Sequence, residues 1–358
     1  MTNAAAAGSQ EAVLSGNSAP HPQRLFQLDG LRGLAAIVVM LYHVDLVFRT
    51  HSPFVRGYLF VDMFFLLSGF VLAVSTEKKL LAGIGAFAFT KARFIRLWPL
   101  VAVGAGVAAL RAFANGMADP VTLLLWLALD LAMIPSLTGS GPFYRFNGPQ
   151  WTLFYELLAN FLHALLLKRV PTKWLPVLVA LFGIALIYTV QRHGSDTMGV
   201  SAPTWKNWWM GLPRVAFPYV LGVWIGRKYK DGMRTRSLPW QISLILPIVG
   251  IMLVPSLPFS KATGDLLFVM LFLPVAMWTV AMCRPSQSLA PVMEWLGTYS
   301  LPLYCVHLTV IVWVSEFLGL STPAKIAAIA AAMAVSWVFS KLISFQSKPL
   351  QVKAKPAE

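Results

Sequence analysis

The feature that most constrains this chain is a series of long apolar runs that recurs along nearly its whole length. Hydrophobic residues make up 57% of the 358 residues and charged residues only 12%, whereas about 25% of the residues in a soluble domain are charged. Most runs approach the roughly 20 residues that a helix needs to cross a hydrocarbon core of about 30 Å. We therefore expect an all-α protein that spans a membrane many times.

The positions of the apolar runs and of the basic residues between them predict a topology. Candidate spans lie at 30–48, 57–76, 98–114, 120–136, 150–168, 174–190, 212–226, 240–256, 264–283, 296–318 and 323–345. Basic residues cluster in loops 77–97, 168–173 and 227–236 and in the C-terminal tail, as is typical of cytoplasmic segments. Three runs separate the first two loops. Both loops can lie on the same side only if one of these runs does not cross.

The run at 120–136 is our choice for the segment that does not cross. It is bounded by a proline near each end and contains Asp130, and we expect it to lie in the outer interface. A competing interpretation demotes 98–114 instead, because that run contains two glycines and Arg111. Either choice predicts about ten transmembrane helices with both termini in the cytoplasm, consistent with a multi-pass protein of a bacterial inner membrane.

Composition also limits domains and partners. The formal net charge is +15, but the basic residues lie in loops and do not alternate with aromatic residues, so we expect no nucleic-acid partner. Cys283 and Cys305 stand in apolar surroundings, which predicts neither a disulfide framework nor a metal site. We divide the chain into a polar cytoplasmic arm at 1–24, one membrane domain at 25–345 and a basic cytoplasmic tail at 346–358.

The first run, LDGLRGLAAIVVMLYHV, contains two ionisable side chains inside a predicted span. Arg32 and His43 are eleven residues apart, so both project from one helical face at a separation of roughly 16 Å along the axis, and Asp29 lies near the same stripe. Such residues inside a membrane are functional candidates by default. A neutral imidazole can take a proton from a hydroxyl at neutral pH. The alternative for a lone histidine near a helix end is an interfacial anchor.

A second polar stripe occurs in the run QWTLFYELLANFLH. Thr152, Glu156, Asn160 and His163 recur at four, four and three residues and therefore share one helical face. We expect this face to point into the protein. Glu156 falls at about the same depth as His43 and is predicted to orient its imidazole. The alternative is an interhelical hydrogen-bond network without chemistry.

Other polar positions are weaker candidates. Arg93 and Arg96 in the loop segment RFIR form one basic face that can bind phosphates, although the same pattern serves as a topology signal. Asp62, near the outer end of the second run, requires a partner. Tyr304 and His307 lie three residues apart in YSLPLYCVH. His307 is a substrate or packing residue and a second candidate base.

Five segments carry a resemblance to a known family. LDGLRGLAAIVVMLYHV, FVDMFFLLSGFVLA, RFIRLWPL, QWTLFYE and YSLPLYCVH occur in this order between residue 25 and about residue 315. They resemble the signature stretches of the acyltransferase 3 family of bacterial membrane proteins. The resemblance implies a ten-helix domain that takes an acyl group, usually acetyl, from cytoplasmic acyl-CoA. It also implies O-acylation of surface glycans or related acceptors.

The resemblance also implies roles for individual residues. Arg32 and His43 match the family's arginine and its essential histidine, and Arg93 and Arg96 match the pair thought to engage the CoA phosphates. Glu156 falls in a family stretch where this chain has Thr instead of the usual Ser, which weakens any role for that hydroxyl.

The resulting hypothesis is an O-acyltransferase with His43 and Glu156 as catalytic residues. Arg32, Arg93 and Arg96 would bind acyl-CoA, which is a co-substrate and not a permanently bound cofactor. The acceptor would be a carbohydrate or a lipid-linked glycan. The substrate-binding residues would be Asp62, Trp151, Asn160, Tyr304 and His307. The rival hypothesis is a transporter or flippase in which the polar stripes line a substrate path.

Overall fold

The fold was taken from a computed structural model that describes residues 25–137, 141–193, 198, 202–232, 238–283 and 287–346. The predicted arm at 1–24 and almost all of the predicted tail at 346–358 lie outside the described residues. Regular secondary structure in the described residues is helical, and the β-pairing found among them is one isolated bridge between Leu238 and Cys283. The predicted all-α class is confirmed.

The described chain forms thirteen α-helices. They are α1 Phe26–Phe48, α2 Phe60–Ser75, α3 Glu77–Leu81, α4 Ala86–Ala114, α5 Pro120–Leu131, α6 Gln150–Leu165, α7 Leu175–His193, α8 Gly211–Lys230, α9 Trp240–Leu253, α10 Lys261–Leu267, α11 Leu273–Met282, α12 Ala290–Leu318 and α13 Thr322–Gln346. A π-helical turn, Phe268–Phe272, joins α10 to α11 into one continuous rod.

Seven of these helical segments are long and apolar enough to cross a membrane. They are α1, α2 with its preceding turn, α4, α7, the α10–α11 rod, α12 and α13. Helices α6 and α9 are shorter, and α8 contains Arg214 and ends in a basic turn. Helix α5 has 12 residues, or about 18 Å of helix, too short to cross a core of about 30 Å. The alternative non-spanning segment is part of α4, which has 29 residues.

The prediction of a loop at 77–97 is wrong in its second half. Helix α4 begins at Ala86, after Gly85 in extended conformation, and includes the whole RFIR segment. The run Ala86–Leu97 contains neither Gly nor Pro, so nothing interrupts the helix before the apolar span. Arg93 and Arg96 therefore lie on consecutive turns of a helix.

The helices define two opposite ends of the bundle. We call the end at which α1 begins the N-face and the end at which it terminates the C-face. At the N-face, Glu77 of α3 accepts hydrogen bonds from His163 of α6 (3.1 Å) and Arg227 of α8 (2.6 Å). At the C-face, Arg111 of α4 pairs with Glu316 of α12 (2.8 Å). Contacts at each end therefore join helices that are far apart in sequence.

Glu77 is the centre of the N-face cluster. Burial alone raises the pKa of its carboxyl, but the hydrogen bonds from His163 and Arg227 outweigh burial and hold that pKa below its usual value. The Arg227 guanidinium also donates to the carbonyls of Val170 (Nη1) and Leu167 (Nη2, 3.0 Å). One carboxylate thus ties α3, α6, α8 and the turn after α6 together.

Helices α1 and α12 are packed almost backbone to backbone. A Cβ on Gly33 of α1 would lie 2.6 Å from the Leu296 carbonyl oxygen of α12, and a Cβ on Gly297 would lie 2.5 Å from Cβ of Asp29. Small residues at such interfaces let helices approach closely. This packing fixes the register between the two helices that carry His43 and His307.

Helices α2 and α8 form the second close interface. A Cβ on Gly222 would overlap the Leu66 carbonyl oxygen, and a Cβ on Gly69 would overlap that of Tyr219. Near the C-face end of this interface, Arg214 pairs with Asp62 at 3.0 Å, with 1% and 0% of the two side chains exposed. A buried ion pair is stable only if both partners are present.

Replacing Gly222 by Ala is expected to destabilise the protein because the added methyl overlaps the α2 backbone. Overpacking of this kind costs about 1–3 kcal/mol. Gly106→Ala in α4 is the matched control, because no atom lies within 4 Å of its added Cβ. Both changes carry the same gain in helix propensity. Thermal unfolding of the purified protein measures the difference, and equal melting temperatures would contradict the close contact.

Removing the Asp62 charge is expected to cost about 3–5 kcal/mol, because Asp62→Asn leaves the Arg214 cation buried and uncompensated. Glu316→Gln breaks the partly exposed pair with Arg111 and is expected to cost about 1 kcal/mol or less. Thermal unfolding of the two variants tests the contrast. Similar losses would show that the α2–α8 pair is accessible to water.

Candidate active site

His43 of α1 and His307 of α12 lie in direct contact. Nδ1 of His43 is 3.1 Å from Nε2 of His307, and the ring centroids are 4.9 Å apart. His307 is fully buried. The two histidines are 264 residues apart in the chain, and the close packing of α1 against α12 brings them together.

Backbone hydrogen bonds assign the tautomers of the two rings. Nδ1 of His307 lies 2.8 Å from the Leu303 carbonyl, and Nδ1 of His43 lies 2.9 Å from the Val39 carbonyl. Because a carbonyl only accepts, both Nδ1 atoms carry hydrogen when the rings are neutral. Nε2 of His307 is then an acceptor, and it shares the single Nδ1–H of His43 with the Val39 carbonyl. Nε2 of His43 keeps its lone pair, and no described residue hydrogen-bonds to it.

Aromatic side chains surround the histidine pair. The Tyr42 ring meets the His43 ring edge to face at 5.0 Å, and the Tyr304 ring lies 6.0 Å from that of His307. The Tyr304 hydroxyl lies 2.8 Å from Oγ1 of Thr152 on α6. Tyr304 thus connects the histidine pair with the predicted polar stripe of α6.

Glu156 has partners other than His43. Its carboxylate accepts hydrogen bonds from Arg93 at 2.7 Å and from Ser68 at 3.1 Å. The polar contacts described for His43 are instead with Val39 and His307. The partner that orients the His43 ring is therefore His307. His43 and Glu156 were expected to meet because they lie at similar depths, but depth along a helix does not determine the direction in which a side chain points.

A basic cluster lies on the N-face side of Glu156. The Arg32 charge interacts with those of Asp29, Glu156, Arg93 and Arg96. Arg32 pairs with Asp29 at 3.3 Å, whereas the guanidinium of Arg96 makes no hydrogen bond or ion pair with a described residue. The three predicted arginines are thus brought together with two carboxylates. The cluster keeps a net positive charge that suits an anion.

The remaining predicted site residues lie along α2 and α6. The Arg214 guanidinium that binds Asp62 also lies 5.5 Å from the Trp151 ring. Asn160 is fully buried and accepts a hydrogen bond from the Tyr219 hydroxyl (3.1 Å), while its Nδ2 has no partner among the described residues. The α6 stripe does face the protein interior, as predicted.

Two participants were not identified from the sequence. Arg214 is a cation within the apolar run at 212–226. A charge inside a predicted span is enough to mark a residue as a functional candidate, so the sequence does contain a signal for Arg214. Ser68 lies in the second apolar run, and its hydroxyl donates a hydrogen bond to the Glu156 carboxylate. No spacing in the sequence signals that contact, because 88 residues separate the two.

Comparison with known proteins is consistent with this arrangement. A family model described as an acyltransferase domain matches residues 25–341. The chain is 33% identical over 183 residues to Protein 2 in picA locus of Rhizobium radiobacter, covering 46% of this chain and 94% of that protein. No solved structure matches the chain.

Two longer matches are to proteins whose names state a function. The chain is 26% identical to Acyltransferase MdmB of Streptomyces mycarofaciens, over 84% of this chain and 82% of that protein. It is 27% identical to the Exopolysaccharide production protein ExoZ of Rhizobium meliloti (strain 1021), over 80% and 86%. The resemblance inferred from the sequence is confirmed. The chain belongs to the acyltransferase 3 family and is an acyltransferase with several helices able to cross a membrane.

Proposed function

We propose that this protein is an O-acyltransferase of a bacterial inner membrane that moves an acyl group, acetyl in the first instance, from cytoplasmic acyl-CoA to a hydroxyl of a carbohydrate acceptor. The observation that carries the proposal is the free Nε2 lone pair of His43, held by His307 between the basic cluster and the C-face. Membership of the acyltransferase 3 family supports the reaction class.

The proposed topology has ten spans, with the N-face in the cytoplasm. Helices α6 and α9, each extended by the 3-10 turn that follows it (Leu167–Arg169 and Val254–Ser256), and α8 join the seven long segments, while α5 lies in the outer interface. The basic clusters at 78–96, 168–173 and 227–230 all lie toward the N-face, which the positive-inside rule assigns to the cytoplasm. Acyl-CoA is made available on that side, so the donor would enter at the N-face and the acceptor at the C-face.

The basic cluster is the proposed donor site. Arg96 has no protein partner among the described residues, while Arg93 and Arg32 are already held by Glu156 and Asp29. Arg96 would therefore make the principal contact with the CoA phosphates, and the paired arginines would add charge around it. The acyl-bearing arm would extend past Glu156 toward His43.

The proposed acyl transfer takes place in two steps. Nε2 of His43 accepts the proton of the acceptor hydroxyl as its oxygen attacks the thioester carbonyl carbon. The carbon–sulfur bond then breaks, the ester forms, and the departing CoA sulfur takes the proton from the imidazolium. General base catalysis by a positioned histidine contributes about 10²–10⁴-fold to such a rate.

His307 is the proposed positioning residue for His43. Its Nε2 accepts from Nδ1–H of His43 and so keeps the opposite nitrogen directed at the acceptor. The His307 ring is itself fixed, because its Nδ1–H donates a hydrogen bond to the Leu303 carbonyl. Asp62, Trp151 and Tyr304 would shape the acceptor side of the same space. One relative is named as an exopolysaccharide production protein, which supports a carbohydrate as the acceptor.

The histidine pair is tested by kinetics. His43→Ala is expected to lower kcat by about 10²–10⁴-fold. His307→Ala is expected to lower kcat less, with the KM for acyl-CoA unchanged in both variants because neither ring contacts the CoA phosphates. Release of CoA thiol in the presence of acceptor measures the rate. Full activity of a well-folded His43→Ala variant would remove the proposed mechanism.

The donor site is tested by pairing an arginine variant with a truncated donor. Arg96→Gln is expected to raise the KM for acyl-CoA by about tenfold or more, because a charge-assisted contact with phosphate is lost. The same variant is expected to match the wild type with acyl-pantetheine, which lacks the nucleotide phosphates. Lys91→Gln, an exposed cation on the same helix, is the control and should leave both KM values unchanged. An equal penalty with both donors would place Arg96 outside the phosphate site.

A further inference from the structure

An open cavity of about 260 Å³ lies at the C-face, next to Tyr42, the residue that precedes His43 in α1. Tyr42, Asp45, Arg49, Thr50 and His51 line it. Tyr42 is also the residue whose ring contacts the His43 ring at 5.0 Å. A molecule seated in this cavity would therefore touch a side chain whose ring also contacts the proposed base.

The carboxylate in the cavity wall is already satisfied. Asp45 accepts hydrogen bonds from the Thr50 hydroxyl (2.7 Å), from the Ser52 amide (2.9 Å) and from the Ser52 hydroxyl. The Lys325 ammonium lies 3.3 Å from the same carboxylate. These four donors fill the acceptor sites of one carboxylate and neutralise its charge. Asp45 therefore shapes the wall and leaves no net negative charge to repel an anion.

The uncommitted polar groups of the cavity are mainly donors. Arg49 and His51 are exposed, and no described residue forms a hydrogen bond or ion pair with either side chain. The Tyr42 hydroxyl likewise has no described partner. A free guanidinium recognises a carboxylate through two parallel hydrogen bonds. The adjoining Tyr42 ring and its hydroxyl suit the body of a sugar.

We propose that this cavity is an acceptor subsite that binds one sugar unit carrying a carboxylate, with Arg49 as the specificity-determining residue. The cavity volume is below the roughly 300–1,000 Å³ of pockets for drug-sized ligands, so it fits one unit of a longer chain. The assignment rests on the proposed function only in naming the occupant as the acceptor. The glycan then continues out of the C-face, and one of its hydroxyls reaches His43 past Tyr42.

The test compares two acceptors that differ only in charge. One oligosaccharide contains glucuronic acid, and the matched one contains glucose at the same position. Wild-type protein is expected to show the lower KM for the acidic acceptor. Arg49→Asn, chosen because Asn tolerates the left-handed backbone at this position (φ 54°), is expected to raise that KM by about tenfold. Its KM for the neutral acceptor should not change.

Arg192→Asn is the matched control, because Arg192 is an exposed arginine at the C-face end of α7 and does not line the cavity. It should leave both KM values unchanged. Arg49→Glu is expected to reverse the preference between the two acceptors. An equal effect of the Arg49 variants on both acceptors, or no effect on either, would overturn the proposal.

Direct binding separates this proposal from the proposed function. The acidic oligosaccharide is titrated into full-length protein in nanodiscs of uncharged lipid, without any acyl donor. Arg49-dependent binding without acceptor-dependent thiol release would sustain the cavity and refute the transferase mechanism. Thiol release without charge discrimination would do the reverse. In a parallel titration with a short-chain anionic lipid, Arg49-dependent binding of the lipid but not of the oligosaccharide would assign Arg49 to the bilayer and overturn the proposal.

Discussion

The close contact between α1 and α12 is the constraint on which the candidate active site depends. Gly33 and Gly297 remove the side chains that would separate the two helices. His43 and His307 can then meet at hydrogen-bonding distance about three-quarters of the way along α1. Helices in a bilayer gain little from hydrophobic exclusion of one another, so close packing of small residues is the main source of such precision.

The charged residues of the membrane region fall into two groups with different consequences. Asp62 with Arg214 and Glu77 with Arg227 are closed, buried pairs that join helices. Around Arg96 and Arg49 the charge is left without a described partner. A closed pair offsets the cost of burying each charge within the protein. Arg96 and Arg49 are exposed, so their charges need no such partner.

Much of the fold could be predicted from the sequence, because apolar runs and basic loops report directly on the solvent around each segment. The α-helical class, the short α5 and the inward-facing stripe of α6 follow from that signal. The first turns of α4 were missed because basic residues were taken to mark a loop, although nothing in Ala86–Leu97 prevents a helix. The distribution of basic residues indicates on which side of the membrane a segment lies. It does not indicate whether that segment is helical.

The site was predicted in its residue types and less well in its pairings. His43, Glu156, Arg93 and Arg96 stand out because ionisable groups in an apolar run are rare. Their partners depend on the rotation and tilt of each helix, which periodicity along one segment does not determine. Glu156 was therefore assigned to His43, while the structure pairs it with Arg93 and Ser68.

Both histidine rings are anchored to the carbonyl four residues earlier in their own helix. Each imidazole is consequently held by its own helix, and its position does not depend on a loop. A slide of one helix past the other by a single turn, about 5.4 Å, would break the pair completely. The alignment of the two rings is thus fixed by the register of two long helices, and no loop has to move to bring the rings together.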